Sequence, residues 1–313
     1  MIQRVQGVSI SVADMEQALQ FYTHVLPFEV IADNEVWGES YERLTGVFGA
    51  RLRVVTLQLG AERIQLVKYL APPGGRRIPA DSRSNDLWFQ HIAIVVSDMY
   101  AAYATLRQHR AQHVSTAPQT LPETIPAAAG IQAFYFRDPD GHNLELIAFP
   151  AGKGDLRWQN KDALFLGIDH TALGIRDTNT SEPVYTRALG LSVAGRSENS
   201  GTEQEHLNMV FGARLWITGL QAQSGGMGVE FLHYLAPPGG RAMPGDTRAN
   251  DLWNWETVLV SDDIVHDGRA ATDAGCQMVS AGIVSLPANN PFECQRACIV
   301  RDPDGHALRL VEV

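Results

Sequence analysis

The sequence predicts an α+β protein built from four copies of one strand–helix–three-strand (βαβββ) unit, and three observations predict it. Long motifs occur twice in the same order. Short apolar runs alternate with small or polar residues, as half-buried strands do. The runs that open the first two units are each followed by an aspartate and then by apolar residues at helical spacing. Val47-Phe-Gly-Ala-Arg-Leu52 returns as Val210–Leu215, and Tyr69-Leu-Ala-Pro-Pro-Gly-Gly-Arg76 returns as Tyr234–Arg241. Asn85-Asp-Leu-Trp88 returns as Asn250–Trp253, and Arg137-Asp-Pro-Asp-Gly-His142 as Arg301–His306. The repeat divides the chain into an N-terminal domain over 1–155 and a C-terminal domain over 164–313, joined by the polar stretch Gly152–Asp162. Each domain holds two units.

In the first unit, Val5–Val12 alternates as a strand and Asp14 is placed to cap a helix. Met15, Ala18, Leu19, Tyr22, Val25 and Leu26 recur at helical spacing. Strands follow at Arg51–Leu59 and Arg63–Leu70, turning at Gly60. The second unit repeats the plan, with a strand over Phe89–Val96, Asp98 as cap and a helix over Met99–Gln108. It closes with strands Ile131–Arg137 and Asn143–Phe149 around the turn Asp138-Pro-Asp-Gly141. The third unit opens at Gly167–Arg176 and closes at Val229–Leu235; the fourth opens at Trp253–Val260 and closes at Ala307–Val313.

Composition bounds the function. Hydrophobic residues make up 45% and charged residues 19%, an ordinary globular balance. A net charge of −10 without a run of Lys or Arg argues against nucleic acid and anionic membrane surfaces as partners. Met1–Ser11 has no signal-peptide pattern, and no apolar stretch approaches a membrane span, so a cytoplasmic protein is expected. The odd cysteine count, Cys276, Cys294 and Cys298, argues against a disulfide framework and for structural thiols.

This unit plan, closing on Asp-Pro-Asp-Gly-His and a carboxylate-bearing strand, resembles the vicinal oxygen chelate superfamily of glyoxalases, bleomycin-resistance proteins and extradiol dioxygenases. Ile168-Asp-His-Thr-Ala172 is similar to that family's opening strand, and Asp138–Glu145 to its ending. The resemblance covers nearly the whole chain. It implies two cupped mixed β-sheets with helices outside, each cup made by two units. It implies no single reaction, because the superfamily hosts several.

The resemblance also implies where a metal ion would be held: each unit can offer one ligand from its first strand and one from its last. The first-strand positions here are Gly7, His91, His170 and Glu256, and the last-strand positions are Gln65, Glu145, Glu230 and Arg309. If the second unit cups against the third, one cup gathers His91, Glu145, His170 and Glu230. The other cup is left with Gly7, Gln65, Glu256 and Arg309 and is expected to be metal-free. Pairing the first unit with the second would split the His–Glu sets. One divalent ion (Ni, Co, Mn, Fe or Zn) is therefore expected across the middle of the chain, acting as a Lewis acid, with Glu145 or Glu230 moving a proton.

Other residues receive plainer readings. His142 and His306 follow tight turns and are expected to be structural, and His233 faces away from Glu230's side of its strand. His206 belongs to the cup mouth or to a solvated loop. The Ala-Pro-Pro-Gly-Gly-Arg segment is a linker packed by Trp88 or Trp253, or a lid bringing Arg76 or Arg83 to an anionic substrate, with Gln119–Pro122 and Pro126–Gly130 as the opposite rim. The expected function is a metal-dependent isomerase, epimerase or lyase acting on a small oxygen-rich molecule. The alternatives are a non-haem iron ring-cleaving dioxygenase and a metal-free small-molecule binding or resistance protein. Either a monomer or a homodimer is compatible with the four-unit chain.

Overall fold

Residues 1–238 and 240–313 are described by the computed structural model; Gly239, in the second Pro-Pro-Gly-Gly run, lies outside the described residues. The first unit contains β1 (Ile2–Ser11), α1 (Met15–His24), β2 (Glu29–Trp37), α2 (Glu39–Thr45), β3 (Arg51–Leu59) and β4 (Glu62–Ala71). The second contains β5 (Gln90–Val96), α3 (Met99–Gln108), the short β6 (Gln112–His113) and β7 (Gln119–Thr120), β8 (Gln132–Arg137) and β9 (Asn143–Ala148). The third contains β10 (Phe165–Ile175), α4 (Thr178–Pro183), β11 (Ser192–Ser200), α5 (Thr202–Asn208), β12 (Arg214–Gln221) and β13 (Gly228–Ala236). The fourth contains β14 (Trp255–Ser261), α6 (Ile264–Asp273), the short β15 (Gln277–Met278) and β16 (Val284–Ser285), β17 (Arg296–Arg301) and β18 (Ala307–Glu312).

Asp14, Asp98, Asp177 and Asp263 precede α1, α3, α4 and α6, and each side chain accepts backbone N–H bonds from the first helical turn. The four strand–helix junctions are thus set locally. By contrast β2 and β11 are edge strands with mostly exposed side chains, so neither carries the apolar alternation that would reveal it in sequence.

Two nine-stranded mixed sheets result, ordered β15-β17-β18-β14-β1-β4-β3-β2, with β16 also pairing β17, and β11-β12-β13-β10-β5-β9-β8-β6, with β7 also pairing β8. The antiparallel pair β1–β14 joins units one and four, and β5–β10 joins units two and three. Each sheet therefore draws on both halves of the sequence. Along β5, Ile92, Ile94 and Val96 enter the main apolar core together with α1, α3 and α6, while Ala93 and Val95, with Phe89 just before the strand, line the opposite, cup face. Both faces are buried, which explains the near-continuous apolar run there. Among the described residues, no helix is long and apolar enough to cross a membrane.

The repeated linkers interlock the halves. Arg76 binds Asp251 and Asp246 and lies 4.9 Å over Trp253; Arg241 binds Asp86 and Asp81 and lies 4.8 Å over Trp88. A Cβ on Gly75 or Gly240 would sit 1.6 or 1.5 Å from the carbonyl oxygen of Asn250 or Asn85, so the crossing requires glycine. These contacts make the segment a packed linker. Arg76 is committed to carboxylates of the other half, which removes it from the role of a lid cation.

His142 and His306 are reciprocal clamps. His142 Nε2 lies 2.7 Å from the Leu252 carbonyl, and His306 Nε2 lies 2.7 Å from the Gly174 carbonyl. The other ring nitrogen of His142 lies 2.8 Å from Asp138 Oδ2. A carbonyl and a carboxylate are both acceptors, so both ring nitrogens carry protons and the buried imidazole is cationic. Burial pulls its pKa down, but the Asp138 carboxylate outweighs that and holds it above the ordinary value. A raised folded pKa stabilises fully below the unfolded value, and that contribution is lost as pH rises through the folded one. His142→Gln is expected to cost about 1.5–3 kcal/mol in urea unfolding below about pH 6.5. The gap between variant and parent should narrow as pH rises; a gap that widens would contradict the charge assignment.

Candidate functional site

A β-bulge shapes the inner cup. On β10, Ile168 opposes Ile94 and Thr171 opposes Ile92, so Asp169 and His170 share the space facing Ala93. Adjacent strand residues normally point to opposite faces. Here Asp169 Oδ2 instead reaches His170 Nδ1 at 2.9 Å. The indole N–H of Trp158 donates to the other Asp169 oxygen at 2.6 Å. The carboxylate thereby fixes a proton on Nδ1 and leaves Nε2 free to act as a ligand, the arrangement by which outer carboxylates orient metal-binding imidazoles. Asp169 and Trp158 are the residues that sequence reasoning misses. Alternation assigns Asp169 to the wrong face, and Trp158 lies in the polar connection between the halves.

His91 on β5, Glu145 on β9, and His170 each present one ligand atom within 4.8 Å of the others. His91 Nε2 lies 3.0 Å from Glu145 Oε2, and His170 Nε2 lies 3.7 Å from the same oxygen. Glu230 on β13 approaches from the other side, with Oε2 at 3.6 Å from His170 Nε2. All four candidate residues come to one place, Glu230 at its more open edge. Side-chain exposure is 0% at His91 and 27% at Glu230, so solvent enters from the Glu230 side.

The donor atoms face one another at close range, the nearest pair at 3.0 Å, without well-aligned hydrogen bonds. Both ring nitrogens of His91 and Nε2 of His170 are buried and have no hydrogen-bond partner among the described residues. Buried polar atoms are rarely left so, because desolvation is costly. Ligands at about 2.0–2.2 Å from a shared ion stand roughly 3.0–3.5 Å apart, close to the spacings here. Two imidazole nitrogens and carboxylate oxygens suit a borderline divalent ion. The residues present fit a metal.

Electrostatics agree. Burial would depress the His170 imidazole, but Glu230, Asp169 and Glu145 surround it and raise it to about 10. Burial pushes the Glu230 carboxyl up to about 7 against the pull of His170, with Glu145 and Asp169 adding repulsion. Solvent access to Glu230 tempers the size of that rise. His91 is lowered by burial. A surplus of negative charge thus stays in the cup until a proton or a cation joins it.

The second cup is built differently at each equivalent position. Ser9 faces Glu256 and Gln65 there, as Ala172 faces His91 and Glu230 in the inner cup. Gly7 stands at the place of His170, and a Cβ on it would meet the Arg63 carbonyl oxygen at 2.2 Å. Arg309 takes the place of Glu145. Its guanidinium donates to Gln65 at 2.6 Å, lies 3.4 Å from Glu256 and stacks 4.2 Å over Phe292. A cation covalently attached to the chain occupies this cup.

Several peripheral residues resolve plainly. His233 accepts from Thr178 on the face away from the cup. His206 is exposed on α5, a helix rather than a loop. Leu121, Ile125 and Ala128 pack together beside Ile131 in a small apolar cluster. The three thiols are free and buried, with burial raising Cys276 and Cys298 to about 12 and Cys294 to about 11, so they stay protonated.

The model of the Glyoxalase/Bleomycin resistance protein/Dioxygenase superfamily matches residues 4–146 and 167–310. A 2-epi-5-epi-valiolone epimerase from an Actinomyces species is 34% identical over 152 residues, 47% of this chain and 80% of that protein. Two mutants of glyoxalase I from Zea mays superpose with TM-scores of 0.61 and 0.63 at 15% and 16% identity, covering 99% of this chain and 92% and 94% of theirs. At those identities the likeness is one of fold.

Proposed function

Because the chain belongs to the glyoxalase/bleomycin resistance protein/dioxygenase superfamily, we propose that it is a divalent-metal-dependent epimerase that inverts a carbon next to a ketone carbonyl. The observation that carries this reading is the convergence of His91, His170, Glu145 and Glu230 with unbonded, buried imidazole nitrogens. The similarity to 2-epi-5-epi-valiolone epimerase supports epimerisation over the superfamily's other reactions.

His91, Glu145, His170 and Glu230 would hold the ion, which supplies Lewis acidity toward the substrate's carbonyl oxygen. Inverting a carbon requires removing a proton from one face and returning one to the other. Two carboxyl groups, Glu145 and Glu230, lie 3.7 and 3.6 Å from His170 Nε2 and suit this pair of roles. Burial raises Glu230 to about 7 in the metal-free cup, and beside a bound cation it would be held ionised, ready to accept a proton from carbon. Tyr135 stands opposite Glu145 in the sheet, and burial, with Glu145 nearby, keeps its phenol protonated. It can donate a hydrogen bond and does not compete as a base. Asp169 holds His170 in register.

Metal-loaded protein incubated with 2-epi-5-epi-valiolone in deuterium oxide is expected to yield an epimer carrying deuterium at the inverted carbon. Glu230→Gln should slow this about 10²–10⁴-fold, the usual worth of a general base. No exchange by metal-replete protein would sink the epimerase reading. A second reading has its own support: the tightest group, His91, His170 and Glu145, is a two-histidine, one-carboxylate set of the kind that binds non-haem iron. Oxygen uptake with catechols by iron-loaded protein would favour a ring-cleaving dioxygenase instead.

A further inference from the structure

The two cups descend from one repeated unit, so each position in the inner cup has a control in the outer one. Asn199 opposes Leu215 where Val36 opposes Leu52. Gln204 and Asn208 are the third and seventh residues of α5, where α2 has Tyr41 and Thr45. Tyr135 opposes Glu145 where Ile299 opposes Arg309. Where the outer cup has Val, Tyr, Thr and Ile, the inner cup has Asn, Gln, Asn and Tyr.

These side chains form one directed series. The Asn199 amide donates to Gln204 Oε1 at 3.0 Å, the Gln204 amide donates to Asn208, and the Asn208 amide donates to the Tyr234 hydroxyl. Asn199, Gln204 and Asn208 are 3%, 2% and 1% exposed. Three buried amides are costly to the fold, and α2 shows that the same helix packs without them. Tyr234 lies four residues after Glu230 on β13, hence on the same cup face, and packs in the apolar cluster that contains Tyr135. Its oxygen is already an acceptor for Asn208, so its own proton is left to donate. The Tyr234 hydroxyl takes part only as an acceptor, from Asn208, among the described residues. Polarisation along such a series strengthens its terminal donor.

We infer that Asn199, Gln204, Asn208 and Tyr234 form a buried arm which, together with Tyr135, recognises ring hydroxyl oxygens of the substrate away from the carbonyl, making the substrate class a polyhydroxylated cyclic ketone. This rests on the proposed function for the position of the reacting carbonyl. The arm itself is a feature of binding, and Asn199, Gln204 and Asn208 are positioning residues that act through Tyr234.

The test uses two ketones, an inosose (a pentahydroxylated cyclohexanone) and 2-hydroxycyclohexanone, which keeps only the vicinal oxygen pair. Binding to the full chain is measured by calorimetry with and without Mn²⁺. The wild-type protein is expected to prefer the inosose about tenfold or more, since a site built for hydroxyl groups rejects analogues that lack them. Tyr234→Phe should remove most of that margin and leave Mn²⁺ stoichiometry unchanged, with a modest fall in melting temperature because the buried Asn208 amide loses its acceptor. Asn208→Thr, which installs the residue carried at position 45, should reduce it in part, while the outer-cup control Tyr69→Phe should not alter it. Equal binding of both ketones by wild type, or a margin that survives Tyr234→Phe, overturns the inference. A Tyr234-dependent preference in a protein that takes up no metal would keep the arm and discard the proposed metal-dependent function.

Discussion

His170→Ala is expected to lower the affinity of the inner cup for a divalent ion about a hundredfold or more, while Asp169→Asn lowers it about 10–100-fold. The first change removes a donor atom. The second keeps the donor and removes the carboxylate that holds its other nitrogen at 2.9 Å. Protein stripped with a chelator and titrated with Mn²⁺ or Zn²⁺ should take up one equivalent per chain, and both variants should fold. The affinity should also rise with pH. In metal-free protein His170 keeps its proton up to about 10, so at neutral pH an entering cation must displace it. Below about 7 the Glu230 carboxyl is protonated as well. The logarithm of the binding constant should therefore climb with pH and climb more steeply below 7 than above it. Affinity independent of pH, or unchanged by His170→Ala, would place the ion elsewhere.

Arg309→Met is expected to destabilise the protein by about 3–5 kcal/mol in urea unfolding at pH 7, with metal binding in the inner cup retained. Arg309 is 2% exposed and is the partner of Gln65 and Glu256 in the outer cup. Removing it strands the Glu256 carboxylate, whose side chain is 9% exposed, and leaves Phe292 without the guanidinium stacked on it. The cost comes chiefly from the uncompensated charge. The double variant Arg309→Met/Glu256→Met removes that charge and should recover most of the loss, because a buried ion pair replaced by apolar side chains is often neutral or better. A single variant as stable as the parent would show that Glu256 is satisfied in some other way.

The local features were legible because their causes are local. Asp14 and Asp98 announce helix starts through bonds to residues two and three positions on, and the Asp-Pro-Asp-Gly runs announce turns for the same reason. The repeat makes unit positions comparable, and the family resemblance says which of them can offer ligands, so His91, Glu145, His170 and Glu230 can be picked out and the inner pairing argued from them. The β5–β10 ladder agrees with that pairing.

What the tertiary structure alone decided depends on how strands and helices pack on one another. The bulge that turns Asp169 toward His170 breaks the alternation on which strand reading relies, and it exists only because β10 must pair with β5. Trp158 gains its role from a carboxylate eleven residues later, Arg309 from partners on β4 and β14, and the amide series from the packing of α5 over the sheet. The order of residues along the chain encodes strands, caps and turns through short-range sterics and hydrogen bonds. Which buried donor meets which acceptor is settled by how the units pack, across 244 residues for Arg309 and Gln65, where no local period carries the information.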